Sequence, residues 1–171
     1  MKYIFDYARQ IDREIIATIH FAGLKSVPES FKKPISYWDN NLNGTINLLK
    51  IMDEYDCRTI IFSSSATIYD PLDQSKMKEN GNINPINPYG NTKFAIEKLL
   101  RDIYDSYPKK WKIINLRYFN PVGAYPIAHI GEKPKEGSTN LFPVLIKVVK
   151  GIQKQLFIYG NAVSYTHLRA H

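Results

Sequence analysis

Three short apolar runs rich in β-branched residues alternate with amphipathic helical patterns, and this alternation limits the fold more than any other feature. The runs cover residues 15–21, 59–65 and 112–119. Strands buried on both faces are apolar along their whole length, as these runs are. Strands that alternate with helices form βαβ units around a parallel sheet. We therefore predict an α/β fold with a doubly wound parallel sheet and helices on both of its faces.

Three helices are predicted from apolar residues that recur every three or four positions. One follows Pro34, a second can begin with Pro88 at its first position, and a third ends at or just after Gly151. Each apolar stripe predicts the face that packs against the rest of the protein. The stripes are Ile35, Trp38, Leu42, Leu49 and Met52; then Ile96, Leu99, Leu100, Ile103 and Tyr107; then Leu141, Leu145, Val148, Val149 and Ile152.

Composition narrows the class of protein further. With 44% hydrophobic and 23% charged residues the chain is globular, and it holds no apolar run of about 18 residues that could span a membrane. Its single cysteine, Cys57, excludes an internal disulfide and favours a reducing, cytoplasmic setting. No His or Cys spacing is typical of a metal site. The net charge of +7 favours an anionic partner, but the basic residues lack the interleaved aromatics of a nucleic-acid surface.

Tyr89 and Lys93 form the first pair of candidate catalytic residues. They stand four residues apart in the segment Tyr-Gly-Asn-Thr-Lys, so a helix would place both on one face. Free tyrosine has a pKa of about 10, and a neighbouring ammonium group favours the phenolate, which makes the tyrosine a usable general base. Pairs with this spacing also arise by chance in a chain rich in both residue types, so the pair needs support from its surroundings.

Two further candidates lie where predicted strands end, which is where parallel sheets bind ligands. Serines 63–65 end the second run, and a hydroxyl there could orient a reacting group, although such clusters are more often capped turns. Ala22 and Gly23 follow the first run and would let a ligand approach the backbone closely, while Lys25 could meet a phosphate or a ribose hydroxyl. His20, just before them, is more simply interpreted as a core histidine.

Six sequence blocks, taken in order, resemble one enzyme family. They are IHFAGLKSV at 19–27, YWDNNLNGT at 37–45, IIFSSSATIY at 60–69, NPYGNTK at 87–93, LRYFNPVGA at 116–124 and TNLFP at 139–143. Together they resemble the UDP-glucose 4-epimerases of the extended short-chain dehydrogenase/reductase superfamily, from about residue 11 to residue 161. The resemblance implies a partial Rossmann-like, NAD-binding domain over residues 1–125 and the start of a smaller substrate-binding region over residues 126–161.

The resemblance also implies a reaction. Members of the family interconvert UDP-glucose and UDP-galactose through a transient 4-keto sugar, with tightly bound NAD as cofactor, and the full-length enzyme would be a homodimer. Tyr89 would take the proton from the sugar 4-hydroxyl. Lys93 would lower the pKa of that tyrosine and hydrogen-bond the nicotinamide ribose, and Ser65 would hydrogen-bond the reacting oxygen. The resemblance thus assigns three catalytic residues, all of which would also touch the cofactor.

The remaining contacts are assigned by position within the resemblance. Besides the catalytic residues, those expected to contact NAD are Phe21, Ala22, Gly23, Leu24, Lys25, Asn40 and Phe119. Ser65 and Tyr89 would also touch the UDP-sugar. The other expected sugar-nucleotide contacts are Asn120, Asn140, Leu141 and a strand formed by Phe157, Ile158 and Tyr159.

Two parts of the sequence differ from the family pattern. A Gly-rich phosphate-binding loop is expected to precede the first strand, yet no glycine precedes Gly23. Residues 162–171 carry no family signal, and we interpret them as a non-native tail. Two alternatives therefore stay open. The chain is an inactive or merely binding fragment of such an enzyme, or it comes from a related NAD-dependent nucleotide-sugar epimerase or dehydratase.

Overall fold

The computed structural model describes residues 1–73, 77–121, 123 and 141–157. The chain divides into two compact units, Met1–Phe119 and Asn120–His171. The predicted boundary at residue 125 stays a prediction. The helical elements are α1 (Lys2–Gln10), α2 (Val27–Lys32), α3 (Pro34–Tyr37), a π-helix (Trp38–Asn43), α4 (Gly44–Glu54), a 3-10 helix (Ala66–Ile68), α5 (Pro88–Ser106) and α6 (Leu141–Val149).

A three-stranded parallel sheet forms the centre of the first unit. Its strands are β1 (Thr18–His20), β2 (Thr59–Ser65) and β3 (Lys112–Tyr118), in the spatial order β1-β2-β3. Both pairings are parallel, which confirms the predicted α/β fold. β2 has the predicted limits, and β3 ends one residue early. β1 is shorter than the predicted run, because only Thr18, Ile19 and His20 pair with β2.

Helices α4 and α5 cover one face of the sheet and form the main core with it. The buried apolar side chains that these two helices and β2 contribute are Leu48, Leu49, Met52, Ile60, Phe62, Ile96 and Leu100. Full burial of one such side chain contributes about 1.5–3 kcal/mol. On the opposite face Ile19 and Ile114 are exposed by 60% and 51%. The sequence predicts helices on both faces of the sheet. Among the described residues, helices cover one face only.

The segment from α3 to α4 corrects the predicted helical stripe. Ile35 and Trp38 are exposed rather than buried, whereas Tyr37, Asn41 and Thr45 are buried. The cause is the π-helix between α3 and α4, whose hydrogen bonds span five residues instead of four and whose turns are wider. Its wider turns shift the inward face to different positions, which a regular α-helical period does not predict.

Helix α5 begins where the sequence predicts. Pro88 occupies one of its first two positions, and the Asn87 side chain accepts a hydrogen bond from the Gly90 amide at 2.8 Å. A Cβ atom on Gly90 would stand 2.7 Å from the carbonyl oxygen of Thr67. Since real Cβ atoms do not approach a backbone oxygen so closely, glycine is what lets α5 pack directly against the 3-10 helix after β2.

The second unit is described mainly through helix α6. It ends at Val149, just before Gly151, whose φ of +70° suits the residue that follows a helix. Phe157 lies in no strand, contrary to the strand predicted for residues 157–159, while Ile158 and Tyr159 lie outside the described residues. Among the helices that are described, none is long and apolar enough to cross a membrane.

Candidate active site

The first turns of α5 place Tyr89 and Lys93 beside the carboxyl end of β2. Both side chains are buried, with 9% and 4% of their surfaces exposed. The Lys93 Nζ atom lies 5.8 Å from the centroid of the Tyr89 ring and 4.7 Å from that of Phe62. It donates a hydrogen bond of 2.7 Å to the carbonyl oxygen of Ser63. The structure thus brings the predicted pair together and sets it against the predicted serine run.

Ser65, the third predicted catalytic residue, completes this group from the end of β2. Its side chain is buried, and its hydroxyl lies close enough to Tyr89 to lower the pKa of that phenol. Its Oγ atom also accepts hydrogen bonds from the Thr67 amide at 3.2 Å and from the Thr67 hydroxyl at 3.0 Å. A hydroxyl, a phenol and an ammonium group therefore share one site, as proton transfer to or from a ligand oxygen requires.

The electrostatics of Tyr89 differ from the expectation in one respect. Burial raises the pKa of its phenol above the ordinary value, and the nearby Ser65 hydroxyl opposes that rise. The predicted lowering by Lys93 is absent. The Lys93 ammonium group donates to the Ser63 carbonyl, and its Nζ atom lies 5.8 Å from the centroid of the tyrosine ring. A further positive charge close to the phenol would oppose this effect of burial.

Lys93 is a buried cation, and burial lowers its pKa from 10.5 to about 8. The unfolded chain therefore binds more protons than the folded chain between about pH 8 and pH 10.5, so the contribution of Lys93 to stability rises with pH across that window. Below about pH 8 the lysine is charged in both states, and the folded protein bears the full cost of desolvating it.

Replacing Lys93 by methionine, which does not titrate, is expected to raise the free energy of unfolding at pH 7 by about 1–3 kcal/mol. The lost bond to the Ser63 carbonyl offsets part of the gain, since an unpaired buried acceptor costs about 1 kcal/mol or more. Urea unfolding of both proteins between pH 7 and pH 11 measures this. The extra free energy of unfolding of the methionine variant should shrink between about pH 8 and pH 10.5, where Lys93 is charged in the unfolded chain but neutral in the folded one. A difference between the two proteins that stays constant with pH would contradict the lowered pKa of Lys93.

Asn41 is a site residue that the sequence analysis missed. Its side-chain oxygen accepts a hydrogen bond from the Leu24 amide at 2.8 Å, and its side-chain nitrogen donates to the Leu24 carbonyl at 3.0 Å and to the Thr92 hydroxyl at 3.1 Å. These bonds tie the turn after β1 to helix α5. The block YWDNNLNGT held the only signal, and there we predicted the neighbouring Asn40, which is exposed.

The turn after β1 passes close to the buried lysine. Gly23 has a φ of +153°, a conformation that favours glycine. A Cβ atom on it would stand 3.0 Å from the Asn41 side-chain oxygen and 3.9 Å from the Lys93 Nζ atom. The absence of a side chain at this position therefore lets the backbone, or a ligand lying along it, approach the centre of the site.

His20 lies at the end of β1 and serves the core. Its Nε2 atom is 2.8 Å from the Thr45 hydroxyl, which itself donates to the Asn41 carbonyl at 2.6 Å. Because the threonine proton is already used, His20 must donate from Nε2. Burial, and to a lesser degree the charge of Lys93, lower the pKa of His20, so the neutral ring is favoured. This confirms its interpretation as a core histidine.

The other predicted contacts fall in the first unit, in the second unit or outside the described residues. In the first unit, the exposed ones are Phe21, Ala22, Lys25, Asn40 and Phe119, while Leu24 is half-buried. Of the predicted sugar-nucleotide contacts, Asn120, Leu141 and Phe157 belong to the second unit. The remaining three, Asn140, Ile158 and Tyr159, lie outside the described residues. The roles assigned to all of these residues stay predictions.

A largely buried ion pair, also missed from the sequence, links helix α5 to β3. Arg117 donates to both carboxylate oxygens of Glu97 over distances of 2.8 to 3.3 Å, and Ser64 donates to the same carboxylate. Arg117 also donates to the Tyr69 hydroxyl at 3.0 Å and to the Glu79 carbonyl at 2.6 Å. The bond to Glu97 raises the pKa of Arg117 above its ordinary value. The sequence feature that could have revealed this ion pair is Arg117 itself, a charged residue within an otherwise largely apolar strand.

A cleft of about 370 Å³ lies elsewhere, between α4 and α5. Its floor includes Leu49, Ile103 and Trp111, and its rim carries Lys50 and Lys110. None of the candidate catalytic residues lines it. The candidate site built from the buried Ser65, Tyr89 and Lys93 lies instead at the carboxyl end of β2, which is the usual ligand-binding edge of a parallel α/β fold.

Comparison with known proteins places the chain in a family. Its sequence matches the NAD dependent epimerase/dehydratase family over residues 6–169. The chain belongs to this family. The match extends into residues 162–171, whose origin stays a prediction. "UDP-glucose 4-epimerase 2" of Oryza sativa subsp. japonica is 49% identical over 145 residues, which are 85% of this chain and 35% of that protein.

Solved structures of family members are also similar. One is a UDP-glucose-4-epimerase from Stenotrophomonas maltophila with bound NAD and formylated UDP-arabinopyranose, which is 38% identical and has a TM-score of 0.83. The aligned region covers 90% of this chain and 45% of that chain. A Bifidobacterium longum UDP-glucose 4-epimerase in complex with NAD+ and UDP gives 0.80 at 44% identity, covering 90% and 46%. The chain thus spans less than half of these relatives. The resemblance to UDP-glucose 4-epimerases is confirmed.

Proposed function

We propose that the protein carrying this sequence is an NAD-dependent UDP-glucose 4-epimerase, which interconverts UDP-glucose and UDP-galactose. The observation that carries the proposal is the grouping of Ser65, Tyr89 and Lys93 at the carboxyl end of β2, in a chain of this family. A homodimer of the full-length enzyme and a cytoplasmic location belong to the same proposal and rest on the resemblance.

The residues around Lys93 fit the nicotinamide end of NAD. Lys93 offers a buried cation with donor capacity left beyond its bond to Ser63, and the glycine turn leaves room beside it. The exposed Phe21 and Lys25 flank that turn and would contact the cofactor. When bound, NAD supplies the reversible oxidation of the sugar at C4. The phosphates would need a Gly-rich turn, and none precedes Gly23 in this sequence.

The side chains of the site have complementary roles in the proposed reaction. Tyr89, once ionised, accepts the proton of the sugar 4-hydroxyl and later returns it. Ser65 donates a hydrogen bond to the same oxygen, which keeps the oxygen within reach of the phenol. Lys93 binds a ribose hydroxyl and holds positive charge inside a poorly solvated site, where charge interactions are strong. Because burial raises the pKa of Tyr89, a positive charge bound beside the phenol would favour the ionised base.

Conversion of UDP-galactose to UDP-glucose by the protein carrying this sequence, supplied with NAD, tests the proposal. Chromatography of the nucleotide sugars should show the two sugars approaching one equilibrium ratio from either direction. A 4-keto-6-deoxy product would favour a dehydratase, and turnover restricted to another UDP-sugar would favour a related epimerase. Binding of NAD or UDP-sugar without any turnover would support the fragment alternative and contradict the proposed activity.

A further inference from the structure

Tyr37, the last residue of α3, is a buried tyrosine to which the proposed reaction gives no role. Its exposed fraction is 0%, although the apolar stripe predicted for this segment did not include it. Its hydroxyl contacts the chain directly after the turn that follows β1, and its ring contacts the ring of Tyr89. One side chain therefore lies between the turn that is expected to bind NAD and the proposed general base.

The hydroxyl of Tyr37 binds both main-chain polar groups of Ser26. The Ser26 amide donates to the phenol oxygen at 2.9 Å, and the phenol donates to the Ser26 carbonyl at 2.8 Å. A phenol has a single hydrogen, and the Glu29 carboxylate is the more distant acceptor for it, at 3.3 Å. We call the two bonds to Ser26 the Ser26 clamp. Since Ser26 follows Lys25 directly, the clamp fixes the end of the turn.

The ring of Tyr37 meets the ring of Tyr89 nearly at right angles. The two centroids are 6.5 Å apart, and the ring planes are inclined by 83°. Aromatic pairs prefer edge-to-face arrangements of this kind over face-to-face stacking. Because Tyr89 has only 9% of its surface exposed, a large neighbour at this contact restricts how its ring can turn.

We propose that Tyr37 is a positioning residue that sets the place of the cofactor-binding turn relative to Tyr89. Its hydroxyl holds the turn through the Ser26 clamp, and its ring holds Tyr89, so substitution can separate the two contributions. Asn41, four residues further along the chain, holds Leu24 of the same turn. The catalytic meaning of this arrangement rests on the proposed function, in which the turn contacts NAD and Tyr89 is the base.

The Ser26 clamp is formed before any ligand binds. A turn that is already held in the free protein need not be ordered when the cofactor arrives, which lowers the entropic cost of binding. Burial raises the pKa of Tyr37, so its phenol keeps the hydrogen that it donates to Ser26 at neutral and mildly alkaline pH. The contribution of the clamp to cofactor binding should therefore not change with pH over that range.

Tyr37→Phe keeps the ring and removes the hydroxyl. We expect the Kd for NAD, measured by isothermal titration calorimetry, to rise about 5- to 10-fold, because the Ser26 amide loses its partner. At saturating NAD, kcat for UDP-galactose should stay within about twofold. Tyr55→Phe is the matched control, since it removes a phenol hydroxyl that binds the Asp6 carboxylate of α1. It should leave both quantities unchanged.

Tyr37→Leu removes the ring as well as the hydroxyl. The Kd for NAD should rise as in Tyr37→Phe, and kcat should in addition fall about 10-fold or more, because Tyr89 loses the neighbour that orients it. Phenylalanine at this position thus rescues kcat but not the affinity for NAD, a split that a purely structural residue would not show. If leucine prevents folding, Tyr37→Met, whose flexible side chain adapts to irregular space, takes its place.

Hydrogen exchange of backbone amides, followed by NMR, needs neither cofactor nor turnover. In Tyr37→Phe the Ser26 amide should exchange about 5-fold faster or more, because its acceptor is gone. The Leu24 amide keeps its bond to Asn41 and should change less. In Tyr55→Phe both amides should exchange as in the unmodified protein.

The outcomes separate the role of Tyr37 from the proposed function. An unchanged Kd for NAD and an unchanged Ser26 amide in Tyr37→Phe overturn the role of Tyr37, even in an active epimerase. A loss of kcat in Tyr37→Phe as large as that in Tyr37→Leu also overturns it, because the ring alone would then not hold Tyr89. Weaker NAD binding and faster exchange in a protein that converts no UDP-sugar support the Ser26 clamp and count against the proposed function.

Discussion

Replacing Tyr89 by phenylalanine should lower kcat by about 10³-fold, the largest effect that we expect on activity. The change removes one oxygen, and with it the proton acceptor for the sugar 4-hydroxyl. Lys93 keeps its bond to the Ser63 carbonyl in this variant. KM should change little because the ring that lines the site is retained. Initial rates of UDP-galactose conversion measure the effect.

Tyr104→Phe provides the matched control for this experiment. Tyr104 lies on the same helix, is 43% exposed and stands outside the candidate site. The same chemical change there should leave kcat and KM within about twofold, as substitutions at exposed sites usually do. Turnover by Tyr89→Phe at the rate of the control would exclude Tyr89 as the general base, even if the protein proved to be an epimerase.

Replacing Glu97 by glutamine should lower the free energy of unfolding by about 3 kcal/mol, the largest effect that we expect on stability. The glutamate side chain is 7% exposed and that of its partner Arg117 is 18% exposed. Glutamine has nearly the same shape but no charge, so the guanidinium group loses its counter-ion in a place that water barely reaches. Since Ser64 donates to the same carboxylate, one further bond weakens as well.

Asp56→Asn is the matched control for Glu97→Gln. It makes the same acid-to-amide change in the ion pair between Asp56 and Arg58. The Asp56 side chain in this pair is 78% exposed. Exposed pairs contribute about 0–1 kcal/mol, so urea unfolding should show a difference of at least about 2 kcal/mol between the two variants. Equal losses in the two variants would mean that the Glu97–Arg117 pair is as well solvated as a surface pair.

Local features of the sequence predicted the framework of this protein. The strand limits of β2, the start of α5 at Pro88 and the shared face of Tyr89 and Lys93 follow from short-range patterns. Apolar periodicity, proline geometry and four-residue spacing act within one element, so they can be read without knowing what the element contacts. For the same reason the stripe through Ile35 and Trp38 was wrong, because a π-helix changes the period.

The sequence by itself thus determined a parallel α/β sheet and the identity of the three candidate catalytic side chains. Only the tertiary structure decided that Asn41 rather than a neighbour binds the turn after β1, and that Arg117 pairs with Glu97 from another element. It also decided the sign of the Tyr89 pKa shift. The physical reason is the same in each case. Burial and hydrogen-bond partners depend on groups that folding brings together from distant segments. A local sequence pattern therefore does not predict how far each group is removed from water.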